Sequence, residues 1–520
     1  MDPIDRRGFL VKAGASALVV GSAGVLSACG GDSGATGTAT SVGGVPARPT
    51  GTLRVANVFE PGYLDPTRSF TASELGVQRA IYEGLVQWDP AYKRVVPQLA
   101  TAWHSSADSR EWTFELAPGR TFSDGEPVDA TAVRKTFEYY KLPTSVLGLL
   151  LPEFKVIDDS DPARVRVVSK TPVPDLLRNL TFVWMISPRL VARGPNAVAQ
   201  HPVGSGPYRL ASWKRGQAIV LEPNPTTEGA HFERIQFIPI PQASARMAAL
   251  NAGDVDLLLT LDPTALARFS ADDRYRTFNV PAWAKTSLFL KVKAAPLDDV
   301  HVRQALAFAI DREAIAESVF DGNATVNDGF QMPGTYGYQA PRTTYPHDPD
   351  RAKELLREAG AENGAKIAIA YVPGGNADDR AVEAIASQLG DVGFDVETKA
   401  LEVGLFNKEL VTKRPRFNVF VATSGWINGG PFHWTINNIG GNTGYATPEY
   451  TALLAKITTL PDGPDRLKAI ADIEEIVARD VPIVPLYQRN EIDVSVSRLE
   501  GFTAPIDGFI PRLEGAYFGE

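Results

Sequence analysis

The chain has 520 residues, 44% of them hydrophobic and 22% charged, with a formal net charge of −9 and a single cysteine. At about 150 residues per domain this length predicts two to four domains, and the composition is that of a globular protein. The acidic balance argues against nucleic acid as the main partner, and one cysteine excludes an internal disulfide, a cysteine-rich zinc site and an iron–sulfur cluster.

The N-terminal segment is typical of an export signal. Two arginines and a lysine precede an uncharged stretch at 13–28. That stretch is shorter than the roughly 20 apolar residues of a membrane span. A basic start, an apolar stretch and a small-residue end together predict a signal peptide over residues 1–28. The pattern RRGFL at 6–10 resembles the twin-arginine signal.

Cys29 ends this segment in the order Leu26-Ser27-Ala28-Cys29-Gly30, which resembles a bacterial lipobox. The resemblance implies cleavage before Cys29 and acylation of its sulfur, and two or three acyl chains would anchor the protein stably. The alternative is a buried core cysteine, as most lone cysteines are, but the position after a signal favours the lipid anchor. The exported form would carry a net charge of −10, because the signal holds two acids and three bases. The Gly/Ser/Thr/Ala-rich residues 29–51 predict a flexible tether.

From residue 52 onward, strand-like and helix-like segments alternate, which predicts an α/β chain with mixed sheets and more than one lobe. Short β-branched or aromatic runs predict strands at 53–59, 112–116, 165–169, 218–222, 235–240, 287–292, 366–371, 395–400, 417–422 and 483–487. Acidic N-caps predict helices after Asp129, after Asp298 or Asp299, and after Asp348, the last ending at Gly360. Further helices are predicted at 378–389, 448–458 and 464–478.

Eight sequence blocks follow one another along this body. They are Leu64-Asp65-Pro66, Ile81-Tyr82-Glu83-Gly84-Leu85, 97–103, 112–130, 202–208, 302–312, 352–360 and 480–486. All of them in this order resemble the family 5 solute-binding proteins of ABC importers, the group that contains periplasmic dipeptide-, oligopeptide- and nickel-binding proteins. The resemblance covers residues from about 52 to 502, which is nearly the whole body.

The resemblance implies a two-lobed, periplasmic-binding-protein-like fold of the cluster C type, with an extra subdomain on the first lobe. By analogy, lobe I comprises residues 52–85, 204–283 and 497–520, the inserted subdomain residues 86–203, and lobe II residues 284–496. The chain would cross between the lobes twice, and two crossings form a hinge about which lobes close on a ligand. The implied function is that of a monomeric, lipid-anchored, extracytoplasmic receptor that delivers a small solute to an ABC permease and its ATPase.

A loop at 424–438 is the main candidate for the ligand surface. It follows the strand predicted at 417–422, it is rich in Gly, Asn and aromatic residues, and the resembled family uses this loop for binding. The alternative is a surface loop whose tryptophans pack on the scaffold. Its candidate binding residues are Trp426, Asn428, Phe432, His433, Trp434 and Asn437.

Five further residues are weaker candidates. Phe59, Glu60 and Tyr63 follow the first predicted strand, Tyr371 ends a strand of the second lobe, and Trp283 lies near a predicted crossing between the lobes. Core packing explains each of them at least as well as contact with a ligand.

One difference from the family bears on the solute. Peptide-binding members carry an aspartate shortly after the Gly-Trp pair, and its carboxylate pairs with the α-ammonium of the peptide. Here no acid follows Trp426 until Glu449, and a buried ammonium without a carboxylate is costly. A neutral or hydroxyl-rich solute suits Asn428 and Asn437 better, unless Glu60 replaces the missing aspartate. Peptide-like molecules, oligosaccharides and other small polar or aromatic solutes all remain open.

Three other functions compete with solute import. The six histidines show no ligand-pair spacing, so a nickel or other metal chelate would rest on His433 as a single ligand, and neither a metal site nor a cofactor is predicted. The chain has no Gly-x-Ser-x-Gly elbow, His-Glu-x-x-His motif or P-loop, so we expect a binder and not an enzyme such as a secreted hydrolase. A receptor that senses its ligand would use the same lobe closure as an importer.

Overall fold

The computed structural model describes residues 45–46, 48–68, 71–373, 378–412, 416–425, 435–506 and 510–519. The predicted signal, Cys29 and most of the predicted tether lie outside these residues. Within the described part of the chain, no helix combines the length and the apolar character needed to cross a membrane.

Strands and helices alternate along the described chain. The strands are β1 Thr52–Asn57, β2 Val86–Trp88, β3 Val95–Pro97, β4 Ala100–Ser105, β5 Glu111–Leu116, β6 Phe154–Asp161, β7 Arg164–Ser169, β8 Tyr208–Lys214, β9 Ala218–Pro223, β10 Arg234–Pro239, β11 Leu257–Leu258, β12 Tyr275–Leu290, β13 Ala324–Thr325, β14 Ala365–Tyr371, β15 Phe394–Ala400, β16 Val419–Gly425, β17 Ile483–Val496, β18 Leu499–Glu500 and β19 Tyr517–Phe518. The helices are α1 Ala72–Ile81, α2 Ala130–Tyr140, α3 Leu176–Leu180, α4 Pro188–Val191, α5 Pro195–Gln200, α6 Ala243–Ala252, α7 Leu266–Ser270, α8 Val300–Ala309, α9 Arg312–Phe320, α10 Pro349–Glu358, α11 Asp379–Asp391, α12 Val403–Val411, α13 Thr435–Thr443, α14 Pro448–Thr459 and α15 Pro464–Asp480.

One large mixed sheet runs through the molecule in the order β15-β14-β16-β12-β17-β11-β1-β10-β9-β8, with β13 paired to β17. We call β1 and β8–β11 the first half of this sheet and β14–β16 the second half. The long strands β12 and β17 lie between the halves and pair antiparallel from Tyr275 opposite Val496 to Phe289 opposite Ile483. The two halves are therefore joined through this pair of long strands.

A separate antiparallel sheet has the order β4-β5-β7-β6. Helix α2 packs against it, and the ring of Phe137 in α2 stacks on Phe154 of β6 at 5.5 Å. This sheet and the first half of the large sheet share one hydrophobic core. The residue limits assigned to the lobes and the inserted subdomain stay a prediction.

The second half of the large sheet is buried on both faces. Val419 and Val421 of β16 belong to one apolar cluster, whereas Phe420 and Ala422 belong to another. Because successive side chains of a strand point to opposite faces, this part of the sheet is covered on both sides. That burial explains why the strand appears in the sequence as an almost continuous apolar run.

Asp65 and Arg303, each from one of the eight sequence blocks, form contacts between distant parts of the chain. Asp65 is fully buried and accepts hydrogen bonds from the amide and hydroxyl of Thr67 at 2.9 and 2.8 Å and from the hydroxyl of Tyr139 at 2.7 Å. It thus ties the segment after β1 to helix α2. Arg303 of α8 donates through Nε and Nη2 to the carbonyl of Asp480, at 2.9 and 2.7 Å, where helix α15 ends.

The helix starts predicted from N-caps are confirmed. Asp129, Asp299 and Asp348 each accept a hydrogen bond from an amide of the first turn, in α2, α8 and α10. The strand predicted at 53–59 ends earlier, at Asn57, and the one predicted at 287–292 overlaps only the end of the 16-residue β12. Strands β4, β6 and β8 have no predicted counterpart, because polar residues interrupt their apolar pattern.

The block Gly204-Ser205-Gly206 marks a close approach of two backbone segments. The amide of Gly206 donates to the carbonyl of Ile81 at 2.8 Å. A Cβ atom built on Gly204 would lie 2.1 Å from that carbonyl oxygen, and one on Gly206 would lie 2.7 Å from it. Side chains fit at such distances only if the backbone moves.

We therefore expect Gly204→Ala to destabilise the protein by about 3 kcal/mol, the cost of overpacking a filled site. The matched control is Gly390→Ala in helix α11, where an added Cβ meets nothing within 4 Å among the described residues. Alanine is the better helix former by about 1 kcal/mol, so the control should keep or raise the melting temperature. Equal melting temperatures for the two variants would contradict the close approach at Gly204.

Candidate functional site

The directions of the strands define a crevice between the two halves of the large sheet. In the first half, β1, β10 and β11 run parallel to one another and in the direction of β12, towards the second half. In the second half, β14, β15 and β16 run parallel to one another and opposite to β12, towards the first half. The carboxyl ends of both sets therefore point towards each other, and ligands of open α/β sheets bind beyond such ends.

The paired strands β12 and β17 span this crevice. In the first half, Leu258 of β11 pairs with Val494, which in turn pairs with Thr277 of β12. In the second half, Gly425 of β16 pairs with Ala284. The stretch 278–283 of β12 therefore lies between the ends of the two halves, where its register with β17 becomes irregular after residue 281.

Trp283 lies at the end of that stretch and is buried. Its ring meets Trp88 edge-on at 6.3 Å and Tyr92 edge-on at 5.6 Å, and its amide donates to the carbonyl of Ile506. A Cβ atom on Gly334 would lie 3.2 Å from its indole nitrogen, so the loop at 329–338 passes close to the ring.

The indole N–H groups of Trp88 and Trp283 are both buried and have no hydrogen-bond partner among the described residues. Trp88 was not predicted from the sequence, although it follows the block at 81–85 closely.

The residues after β1 lie at the carboxyl end of the first half. Phe59 and Tyr63 are exposed, with 51% and 41% of their surface accessible, and the guanidinium of Arg68 lies 4.2 Å from the centre of the Tyr63 ring. Such exposure leaves both rings open to contact. Tyr371 lies at the corresponding end of β14, where burial, followed by the negative charge of Asp379, raises the pKa of its hydroxyl.

Glu60 is already engaged within the first half. Its carboxylate accepts hydrogen bonds from the indole N–H of Trp213 at 3.3 Å and from the amide of Gly216 at 3.1 Å, and Arg215 lies 3.8 Å away. A carboxylate that is paired in this way is a poor counter-ion for an ammonium group.

The remaining predicted residues lie outside the described part of the chain. These are Trp426, Asn428, Phe432, His433 and Trp434, together with the predicted lipidation site Cys29. Asn437 belongs to helix α13, but its side chain is not among the described ones. The backbone does show where the loop starts, because β16 ends at Gly425, at the crevice.

Two acids of β17 lie at the crevice and were not predicted from the sequence. Asp493 is fully buried and accepts the amide of Thr260 at 3.0 Å, and Glu491 accepts the hydroxyl of Thr260 at 2.9 Å. Burial, followed by the negative charge of Glu491, raises the pKa of Asp493 well above its usual range. Arg246 donates to the carbonyl of Thr260 at 3.0 Å. No sequence motif marks acids that alternate along a strand.

A buried lysine and a buried glutamate support the loop at 329–338. The ammonium of Lys285 donates to the carbonyl of Gln331 at 2.8 Å, and Glu474 accepts the amide of Phe330 at 2.6 Å. Burial lowers the pKa of Lys285 to about 7 and raises the pKa of Glu474 to about 8, and the attraction between the two groups opposes both shifts. The pair thereby fixes the loop to β12 and to helix α15.

These groups have the chemistry of a binding site, with aromatic faces, buried N–H donors and a few buried charges at a crevice. Among the described residues, no group of three or more histidine, cysteine or acidic side chains is placed to hold a metal ion.

Comparison with known proteins identifies relatives over nearly the whole length. Residues 94–446 match the family described as bacterial extracellular solute-binding proteins, family 5 Middle. The chain is 26% identical over 496 residues to the probable D,D-dipeptide-binding periplasmic protein DdpA of Escherichia coli K12, covering 90% of this chain and 93% of that protein. It is 26% identical over 459 residues to the glutathione-binding protein GsiB of Pectobacterium atrosepticum, covering 84% and 89%.

The fold is similar to that of a dipeptide-binding protein from Pseudoalteromonas sp. SM9913 in complex with Met-Leu. The TM-score is 0.80 at 21% identity, covering 90% of this chain and 100% of that one. The predicted fold class is thereby confirmed as a mixed α/β, periplasmic-binding-protein-like fold. The expectation of a binder and not an enzyme is confirmed by the family match and the curated relatives.

The pair of Lys285 and Glu474 predicts a specific pH dependence. The folded-state pKa of Glu474 lies above its usual 4.5, so the wild-type fold loses stability as pH rises from 4.5 towards the raised value. The isosteric Glu474→Gln does not titrate. We expect the stability of this variant relative to the wild type to rise by about 2–3 kcal/mol between pH 5 and pH 7 in chemical unfolding.

Glu475→Gln on the same helix is the control. Burial acts to raise the pKa of Glu475, but hydrogen bonds from Thr343 and Arg342 outweigh it and lower the pKa. Glu475 is therefore almost fully ionised at pH 5 as well as at pH 7. Glu475→Gln should lower the free energy of unfolding by about the same amount at both pH values. If the free energies of unfolding of Glu474→Gln and the wild type differ by the same amount at pH 5 and pH 7, the raised pKa of Glu474 is ruled out.

Proposed function

The chain belongs to the bacterial extracellular solute-binding proteins of family 5, and we propose that it is the lipid-anchored receptor of an ABC importer that captures a small solute in the crevice. The protein is thus a binding component that works outside the cytoplasm and serves an ABC permease. The anchor, the solute class and the residues that bind it are our proposal. We also propose that the receptor is a monomer.

The observation that carries this proposal is the convergence of strand ends on a gap spanned by β12 and β17. Two strands can bend more easily than a full sheet, so a gap of this kind suits a hinge between two lobes. The open form would take the solute on one lobe, and closure would bury it. A solute drives closure only if it binds the closed form more tightly than the open form.

The contacts of the described residues favour a solute rich in hydrogen-bond acceptors. The buried indole N–H groups of Trp88 and Trp283 have no partner among the described residues, and an oxygen of the solute would satisfy such donors. The carboxylate of Glu60 is occupied by Trp213 and Gly216, which makes it a poor partner for an ammonium group. Peptide-like molecules with a blocked or modified amine, and oligosaccharides, meet these requirements.

The loop after β16 would supply the rest of the site. Its start at Gly425 lies opposite Ala284, next to Trp283. Trp426 is the next residue of this loop, and a tryptophan face stacks well on flat or ring-shaped groups. We propose that Trp426, Asn428 and Asn437 contact the solute.

The test is to purify the protein under native conditions and to identify by mass spectrometry the small molecule that remains bound. That molecule should raise the melting temperature of the solute-free protein, because a ligand that binds only the folded state stabilises it. Trp426→Ala should weaken its binding at least tenfold, or about 1.4 kcal/mol.

Trp103→Ala serves as the control for loss of a tryptophan, since Trp103 lies in β4 of the four-stranded sheet. Trp103→Ala should bind the solute with the same affinity as the wild type. Equal affinity of Trp426→Ala and the wild type would exclude Trp426 from the site. A candidate solute that the protein turns over would contradict the receptor function.

The lipid anchor gives a separate prediction. Cys29→Ser removes the sulfur that the acyl chains would modify, so the protein should move from the membrane fraction to the soluble extracytoplasmic fraction. Affinity for the solute should not change, because the anchor and the crevice are separate parts of the chain. Retention of Cys29→Ser in the membrane fraction would contradict acylation of this residue.

A further inference from the structure

Four charged side chains from distant parts of the chain form a compact cluster. Asp175 and Arg178 lie at helix α3, whereas Asp462 and Arg466 lie at helix α15. We call these four residues the charge cluster. Asp175 and Arg466 are separated by 291 positions in the sequence, yet the guanidinium of Arg466 donates to both carboxylate oxygens of Asp175.

Each arginine of the cluster contacts both acids. Arg178 donates to Asp175 at 2.8 Å and to Asp462 at 2.6 Å. Arg466 donates to Asp462 at 2.5 Å and, through Nε, to the carbonyl of Ile457 at 2.9 Å. The side chain of Arg466 is completely inaccessible to solvent. The cluster is therefore a ring of two positive and two negative charges in which every member is paired.

Tyr336 closes one side of the cluster. The centre of its ring lies 4.1 Å from the guanidinium carbon of Arg178 and 5.4 Å from that of Arg466. An aromatic face near a desolvated guanidinium is attractive. The loop that carries Tyr336 also approaches the indole of Trp283 through Gly334. The same loop therefore borders both the charge cluster and the crevice.

The two sides of the cluster belong to different parts of the predicted architecture. Helix α3 lies in the subdomain predicted at 86–203, and helix α15 lies in the predicted lobe II. If lobe II moves away, Asp175 keeps Arg178 three residues further along the chain, and Asp462 keeps Arg466 four residues further along. The cluster would thus separate into two neutral pairs.

This division removes the usual obstacle to opening a buried ion pair. Separating two buried charges is costly because each is left without a partner. Here each side retains its own counter-ion, and only the crossed contacts between Arg466 and Asp175 and between Arg178 and Asp462 are lost. The arrangement can therefore break and re-form reversibly.

We propose that the charge cluster is a reversible latch between the inserted subdomain and lobe II, and that its residues are positioning residues that set solute affinity through the balance of closed and open forms. The latch rests on the proposed function, because lobe closure is part of that function. A solute must supply less binding energy for closure when crossed ion pairs already favour the closed form. Weakening those pairs should raise the open fraction of the solute-free protein several-fold and weaken solute binding accordingly.

The test measures opening without any solute. Spin labels at Val156→Cys in β6 and Val411→Cys in α12, both exposed positions, report the distance between subdomain and lobe II in the full chain carrying Cys29→Ser. The paired variant Asp175→Asn/Arg178→Gln removes both crossed contacts and leaves Arg466 with its own partner Asp462. It should therefore increase a population with a longer distance, as measured by pulsed electron resonance. Asp472→Asn is the matched control, because it removes an exposed ion pair with Lys468 on helix α15.

A double-mutant cycle separates a latch from a purely structural role. Neutralising the pair at helix α15 instead, with Asp462→Asn/Arg466→Gln, removes the same crossed contacts. Combining both neutralised pairs should therefore open the protein by clearly less than the sum of the two separate effects. Unchanged melting temperatures would show that the variants remain folded. If a variant fails to fold, raising the salt concentration on the parent protein gives the same readout, because salt screens the half-exposed Asp462.

Several outcomes would overturn the latch. These are a distance distribution of Asp175→Asn/Arg178→Gln identical to the parent, an equal shift in Asp472→Asn, or strictly additive effects in the cycle. The outcomes are distinct from failure of the proposed function. Opening that responds to Asp175→Asn/Arg178→Gln in a protein that captures no solute would uphold the latch and reject the receptor, whereas solute capture without any change in opening would do the reverse.

Discussion

The pairing of β12 with β17 is the constraint on which the rest of the structure depends. These strands join the two halves of the large sheet, and their shared register runs from Tyr275 opposite Val496 to Phe289 opposite Ile483. Because β12 is parallel to β1, β10 and β11 and antiparallel to β16, the parallel strands of both halves end at the gap. Residues that follow those strands are thereby brought together, although they are distant in the sequence.

Two groups of buried ionisable side chains lie near that gap, and burial affects their charges differently. Lys285 and Glu474 are fully buried, and burial shifts the pKa of each against its charged form, so the pair carries a cost that depends on pH. Burial also disfavours the charges of Arg178 and Arg466, but neighbouring acids outweigh it and raise their pKa values. The first arrangement fixes the loop at 329–338 to β12 and to helix α15. The second divides into neutral pairs, which suits an interface that opens.

The sequence was informative wherever one local interaction determines the structure. N-caps such as Asp129 and Asp348 marked helix starts, because a carboxylate bonded to first-turn amides is a property of a few adjacent residues. The run at 417–422 marked a strand buried on both faces. By contrast, the polar stretch of β12 before Trp283 showed no apolar run, and its contacts with β17 connect residues as distant as Gln488 and Ala282, which are 206 positions apart.

The same distinction explains what was missed at the candidate site. Trp426 and its neighbours were predicted because a glycine- and aromatic-rich loop is a local signal, whereas Trp88 and Asp493 are brought to the crevice only by partners elsewhere in the fold. The sequence also suggested Glu60 as a counter-ion for an ammonium group, but its carboxylate is bonded to Trp213 and Gly216. Specificity for a solute therefore depends on which polar groups the fold leaves available at the crevice, and composition alone does not determine that.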